Sequence, residues 1–462
     1  MAWFTEQSVD VPKINTKHRK IVTAIPVPAS IPILEKLRAI EPRSMAGQPP
    51  VIWDRAEGLY VRDAWGNQWL DWSSGVLVTN AGHSHPKIVQ AIRGQLDHHM
   101  IHNFCFPSEV RYRYVEALAA VCPAACRKIF LLTTGAEATE CAIKLSRARG
   151  IAVGGKRKIG IVTFTHAFHG RTLGAQMAGG IPGLKEWIIN TDPAMINAPF
   201  PDGFRQKDTR FQVFLDTLAQ QKLSGEDIAG VMLETYQGGS AAFAPVEYIK
   251  QMRDWCAMNK VVLIFDEVQA GFGRTGKMWG FEHYGVEPDL FCCGKGISSS
   301  LPISAVVGRQ ELMDQFPPGS MSSTHSGSPL CVEAAYANLQ VILEEKLVEN
   351  SARLGVILDA ELKRMTRKFD GPIGAGDARG LVGTLQIVKP GTTEPNQPPA
   401  QSIVMRCIQK GLLMFAPVGV GGATVKICPP LITTEESLRE GIAVLEESIE
   451  QTLAAELQGA GR

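Results

Sequence analysis

Apolar residues fall in short unbroken runs through the middle of the chain, at 128–132, 159–164, 231–233, 261–265, 290–292 and 303–307. Runs of this kind, without polar alternation, predict strands buried on both faces of a parallel sheet. Between many of them, apolar positions recur with helical spacing, at 137–148, 211–221 and 248–259. That spacing predicts amphipathic helices. Strands alternating with helices predict an α/β fold, a mostly parallel sheet flanked by helices. Beyond Pro329 the texture changes. A long helical pattern covers 332–369, followed by a glycine-rich stretch at 371–380, a strand-like run at 382–388, a proline-rich loop at 390–399 and a last helix over 435–457. The expected organisation is therefore an N-terminal segment, 1–74, joining a small α+β domain; a large domain, 75–330; and the rest of the small domain, 331–462.

Composition narrows the field. Of 462 residues, 45% are hydrophobic and 20% charged, which excludes a disordered chain. Lys plus Arg (47) nearly cancel Asp plus Glu (46), so no basic field is available to attract nucleic acid. No apolar window is long enough to span a membrane. The first fifteen residues carry Glu6 and Asp10 and no apolar centre, unlike a secretory signal. The basic run Lys17-His18-Arg19-Lys20, followed by Pro26, Pro28 and Pro32, gives only a faint transit signal. Ten cysteines show no zinc-like pairing, which points to buried thiols in a reducing, cytoplasmic setting. His83, His85, His98, His99 and His102 cluster without the acidic or cysteine spacing of a metal site and read as solvated or capping histidines.

Ligands in open α/β sheets sit outside the carboxyl ends of the strands. Three glycine-bearing signals compete there. Gly271-Phe272-Gly273-Arg274-Thr275-Gly276 matches a dinucleotide fingerprint and, with Lys277, most of a P-loop. Met278 stands where a P-loop needs Ser or Thr, and the segment after Gly276 is a poor helix start. The third signal, Thr133-Thr134-Gly135-Ala136-Glu137, follows a strand and opens a helix whose first amides can hold an anion. An ordinary N-cap, with Thr134 as cap and Glu137 as its capping-box partner, explains the same residues equally well.

The strand at 261–265 ends in Asp266, and Lys295 follows the next strand in Gly294-Lys295-Gly296. Alone, this acid and amine read as an ion pair. Joined to the anion site they supply three fixed points that a pyridoxal phosphate cofactor needs. These are an amine for a Schiff base with its aldehyde, a carboxylate for its pyridine nitrogen, and a helix N-terminus for its phosphate.

Here the sequence resembles a known family. The run from Ile264 through Asp266-Glu267-Val268-Gln269 to Gly276, followed by Asp289-Leu290 and Gly294-Lys295, is similar to the signature of class III pyridoxal-phosphate aminotransferases. The resemblance extends from residues 58–71 and Asn80-Ala81-Gly82-His83, through Thr134-Gly135-Ala136-Glu137-Ala138 and Phe168-His169-Gly170-Arg171-Thr172, to Pro429-Pro430-Leu431. It implies fold type I. It also implies roles: Lys295 as Schiff-base lysine and proton carrier, Asp266 on the ring nitrogen, Phe168 stacked on the ring and Gln269 on its phenolic oxygen. His169 and Glu234 join the cofactor-binding set with Thr134, Gly135 and Ala136. Thr324 corresponds to a residue that reaches the phosphate of the neighbouring subunit. The resemblance thus implies a homodimer, or a tetramer, with shared active sites.

The implied reaction moves an amino group from an ω-amino acid resembling 4-aminobutyrate, or a related amine, to a 2-oxo acid. Arg171 matches the position that binds the carboxylate remote from the reacting amine, a task suited to a guanidinium fork. Val76 lines up with an apolar substrate-side residue. Two positions depart from the pattern. In Glu234-Thr235-Tyr236-Gln237-Gly238-Gly239 the usual final Glu is Gly239, and the arginine it would pair with is Lys426. These changes point away from standard recognition of 2-oxoglutarate and toward pyruvate, or an amine donor without an α-carboxylate. The alternatives are decarboxylation-coupled transamination of the dialkylglycine type, racemisation, and, from another class, a nucleotide-binding protein.

Overall fold

The computed structural model describes residues 4–460, which form two compact units. One is Pro86–Glu349; the other joins the segment ending at His85 to the segment beginning at Asn350. Among the described residues no helix is long and apolar enough to cross a membrane.

The Pro86–Glu349 unit is built on a seven-stranded sheet. Its order is Lys128–Leu132, Ser304–Gly308, Leu290–Cys293, Val262–Asp266, Ile228–Glu234, Gly160–Phe164, Met195–Ala198. Each apolar run singled out above forms a strand, and Met195–Ala198 adds an edge strand. The run at 303–307, read as parallel, is antiparallel to both of its neighbours. It is fully buried, and burial on both faces looks the same in sequence whichever way a strand points.

The Gly135–Gly154 helix lies across this sheet. Ala138, Cys141, Ala142 and Leu145 form its buried stripe, packed with Ile264, Met232 and Val306 of the strands. Each fully buried aliphatic side chain the size of Leu or Ile contributes roughly 1.5–3 kcal/mol. The small residues of the stripe bring the helix close to the strand ends.

The unit boundaries differ from the expected 75 and 330. Helix Pro329–Glu344 packs on helices Pro86–Asp97 and Glu109–Ala120, so it belongs to the large unit. The continuous helical pattern at 332–369 is two helices, Pro329–Glu344 and Leu347–Lys368. They break at Lys346, whose φ of 52° no α-helix contains.

The other unit has a six-stranded sheet in which Leu412–Leu413 runs parallel to Gln68–Asp71, pairing an early segment with a late one. It also has a three-stranded antiparallel sheet of Ile373–Ala378, Gly383–Ile387 and Thr424–Ile427. Ile373–Ala378 lies inside the glycine-rich stretch, where no strand was expected. Part of the expected proline-rich loop is helical: Gln397–Gln409 begins with Pro398 and Pro399 in its first turn, where a missing amide proton costs nothing. All ten cysteines are free thiols.

Candidate active site

The parallel register sets the site. Asp266 ends its strand directly beside Glu234 on one side and Cys292 on the other. Lys295 follows Cys293 and Gly294, and its backbone has φ +44°, an unfavourable conformation for a residue with a side chain. Such strain is held only where the surroundings over-determine it, and it clusters at functional sites.

Asp266 is buried and engaged at both oxygens. Oδ2 meets His169 Nδ1 at 2.8 Å, and Oδ1 accepts from the Val268 amide at 3.0 Å. Burial by itself would lower the imidazole's pKa. The hydrogen bond and charge of Asp266, with the charge of Glu234, outweigh that and raise it. His169 therefore leans toward its charged form beside a carboxylate.

Glu234 is a second buried acid. One oxygen accepts from Phe168 N at 3.0 Å, the other from Gly238 N at 2.9 Å. It thereby ties the loop carrying Phe168 and His169 to its own strand end. Burial pushes its carboxyl up to about 7. Burial lowers the Lys295 ammonium, against the opposing pull of Asp266 and Glu234. Low dielectric surroundings favour the neutral amine, the form that can act as nucleophile and base.

At the N-terminus of the Gly135–Gly154 helix the structure shows the capping box. Thr134 caps it, accepting from Glu137 N at 3.3 Å, while Glu137 accepts from Thr134 N at 2.9 Å, Thr133 N at 2.8 Å and the Thr133 hydroxyl. The capping box engages the third helical amide. The first two, on Gly135 and Ala136, lie beyond reach of the helix's own carbonyls, and both residues line a cavity. A Cβ at Gly135 would stand 2.9 Å from Val268 Cγ1, so a larger residue there would require Val268 to shift.

That cavity, of about 210 Å³, gathers Gly135, Ala136, Phe168, His169, Glu234, Asp266, Gln269 and Lys295. Three more lining residues, Gly170, Tyr236 and Val268, were not among the expected site residues. Tyr236 is 1% exposed, and its hydroxyl donates to Gln269 O at 3.3 Å. The Tyr236 position falls within the motif that carries Glu234, which was the available signal.

A pyridoxal phosphate fits this donor set. Helix amides suit the phosphate, an aromatic face the ring, a carboxylate the ring nitrogen, and a desolvated amine the aldehyde. The GxGxxG segment, by contrast, is a buried loop after Asp266 that opens no α-helix, so it has no N-terminus to offer a nucleotide.

The remaining expected residues lie elsewhere. Arg171 is exposed, its guanidinium 5.6 Å from the Phe168 ring centroid. Thr324 is exposed and does not line the cavity. Val76 and Lys426 belong to the other unit. Val76, 40% exposed, sits in a left-handed turn in which Ser74, Gly75, Val76 and Leu77 all have positive φ. Lys426 is 3% exposed, on a strand opposite Thr384. Among the described residues no group of three or more His, Cys, Asp or Glu side chains is placed to hold a metal.

Comparison with known proteins agrees with this chemistry. The model of the family "Aminotransferase class-III" matches residues 43–449. The 4-aminobutyrate aminotransferase of Mycobacterium leprae is 32% identical over 442 residues, covering 92% of this chain and 97% of that protein. The 5-aminovalerate aminotransferase DavT of Pseudomonas putida is 33% identical over 426 residues, covering 90% and 97%. A Bacillus anthracis aminotransferase crystal structure superposes with a TM-score of 0.83 at 26% identity, covering 92% and 99%. The chain belongs to the class III aminotransferases, enzymes of fold type I that depend on pyridoxal phosphate.

Proposed function

We propose that this enzyme takes the amino group of an ω-amino acid such as 4-aminobutyrate or 5-aminovalerate, or of a related amine, and delivers it to a 2-oxo acid. The observation that carries the reading is the convergence of Lys295, Asp266, His169 and the Gly135 helix end on one cavity. The relatives named for 4-aminobutyrate and 5-aminovalerate supply the substrate class.

When bound, the cofactor supplies an aldehyde for the amino group and a ring that holds the electrons released at the substrate carbon. The chain does the rest. Lys295 Nζ would hold the aldehyde end of the cofactor and, when free, would carry the proton at the amine-bearing carbon. Asp266 would meet the ring nitrogen, with His169 holding Asp266 in place. Gln269 would donate to the phenolic oxygen, and Phe168 would cover the ring. Thr134, Gly135 and Ala136 would hold the phosphate.

Arg171 would bind the donor's remote carboxylate. Lys426 stands where the family carries arginine and Gly239 where it carries glutamate; a point charge in place of a planar clamp favours a monocarboxylate acceptor such as pyruvate. Val76 would line the substrate side. Exposed Thr324 would complete the phosphate site of a second copy, making the enzyme a homodimer with shared sites, or a tetramer. The free thiols suit the cytoplasm.

The test is a single half-reaction of the holoenzyme with 4-aminobutyrate, 5-aminovalerate, ornithine and 2-aminoisobutyrate. Bleaching of the cofactor's near-visible band by an ω-amino acid, with recovery on adding pyruvate, is expected. Bleaching by 2-aminoisobutyrate alone, with release of carbon dioxide, would overturn the reading.

A further inference from the structure

The short helix Leu173–Ala178 follows Arg171 and Thr172 directly. Thr172 occupies its N-cap position, yet the Thr172 side chain makes no cap hydrogen bond. The capping acceptor comes instead from the phosphate-site helix. Glu140 Oε1 accepts from the Thr172 hydroxyl at 2.7 Å, from Gly174 N at 2.8 Å and from Ala175 N at 3.0 Å. Three donors on one carboxylate oxygen is a dense arrangement for a partly exposed acid. The approach is close as well: a Cβ on Gly174 would meet Glu140 Oε2 well inside contact distance.

One residue nearer the helix start, Thr139 Oγ1 donates to His169 O at 2.7 Å. The phosphate-site helix therefore grips the Phe168–Thr172 loop at two places. Thr139 fixes its His169 end, where the cofactor contacts lie. Glu140 fixes its other end, immediately after Arg171. Arg171 itself is exposed, so its guanidinium is directed by the backbone on which it stands and by the Phe168 face.

We propose that Glu140 is a positioning residue for substrate selection: by capping Leu173–Ala178 it fixes the backbone of Arg171 and so sets recognition of the donor's remote carboxylate. This rests on the proposed role of Arg171. Glu140 touches neither cofactor nor substrate in this scheme, and Thr139 holds the cofactor end of the loop independently. Loss of Glu140 should thus blunt carboxylate recognition while sparing cofactor affinity.

The experiment compares Glu140→Ala, Glu140→Gln and Arg171→Ala holoenzymes in the half-reaction with 5-aminovalerate and with pentylamine, which lacks the carboxylate. It adds the dissociation constant of pyridoxal phosphate from each apoprotein. Glu140→Ala should raise the half-saturating 5-aminovalerate concentration about tenfold and that of pentylamine less than about twofold, the scale of one charge-assisted contact misplaced. Cofactor affinity should stay within about twofold, because the phosphate amides are untouched. Glu140→Gln, which keeps an acceptor oxygen, should restore most of the loss. If Arg171→Ala discriminates between the donors and Glu140→Ala does not, the positioning role is overturned and the Arg171 reading stands. If Arg171→Ala fails to discriminate, both fall. If Glu140→Ala weakens cofactor and both donors alike, Glu140 is a general structural support and the proposal is overturned.

Discussion

His169 Nδ1 and Asp266 Oδ2 stand 2.8 Å apart, both buried, at the carboxyl end of the central strands. The two residues lie 97 positions apart in sequence. The Val268 amide donates to the second Asp266 oxygen at 3.0 Å, so both carboxyl oxygens are held in a fixed orientation. In the proposed scheme this is the group that meets the cofactor's ring nitrogen.

Removing His169 should therefore weaken the protonation of the ring nitrogen without touching the lysine. A hydrogen bond to a charged group is worth about 1.5–3 kcal/mol. His169→Ala should lower kcat roughly 10- to 150-fold. Asp266→Asn should cost more, because it removes the charge itself. Stopped-flow half-reaction rates of the two variants check this order, and an unchanged rate in His169→Ala would remove the pair from the chemistry.

Lys295 is the one lysine bordering the cavity among the described residues. Lys295→Ala should abolish turnover, and borohydride should no longer fix the cofactor to the chain. The same variant relieves a strained backbone position with φ +44° only in part, since Ala shares the Cβ clash. Its melting temperature should remain near that of the parent apoprotein. Mass spectrometry after reduction reads the first outcome directly; a residual adduct at another lysine would displace Lys295 from its role.

Much of this site was legible because it lies at ends of buried strands, where apolar runs stop abruptly at a polar residue. Asp266 and Lys295 stand out for that reason. Tyr236 did not, since a tyrosine after a strand looks like any core aromatic, and only the fold turns it into a wall of the cavity. The direction of Ser304–Gly308 was hidden for a related reason: full burial erases the face alternation that distinguishes strand settings. Ile373–Ala378 was masked by its glycines. The end of the large unit was misplaced because periodicity marks a helix without showing which helices it packs against. The links from Glu140 to Thr172 and from Glu234 to Phe168 span 32 and 66 positions, distances at which sequence pattern carries no signal.

Arg171→Ala should raise KM chiefly for donors bearing a remote carboxylate. The loss of a charge-assisted contact, about 1.5–3 kcal/mol, corresponds to roughly 10- to 150-fold. Arg171→Lys should recover only part of it, because an ammonium is a point charge and cannot clamp both oxygens. Steady-state KM values for 4-aminobutyrate and for a carboxylate-free amine decide the matter. Equal rises for both would take Arg171 out of carboxylate recognition.

Glu267 adds a pH dependence that the chemistry does not require. It is wholly buried and accepts from the Thr235 hydroxyl, from Gly280 N at 2.7 Å and from Phe281 N at 3.0 Å. Burial nevertheless raises its carboxyl to about 7, against the lowering effect of those donors. In an unfolded chain a glutamate titrates near about 4.3. Between that value and about 7 the native carboxyl stays protonated while the unfolded one is ionised. The native state then binds more protons, so stability falls as pH rises, by up to about 1.4 kcal/mol per pH unit for this one group. The contribution is complete below the unfolded value and lost above about 7. Glu267→Gln keeps the shape and an acceptor oxygen but cannot titrate, so its stability relative to the parent should climb from about pH 4.3 to about pH 7 and level off above that. Urea midpoints of parent and variant apoproteins across that range test the sign. Parallel curves would mean that Glu267 is already ionised in the folded chain, with its three donors outweighing the cost of burial.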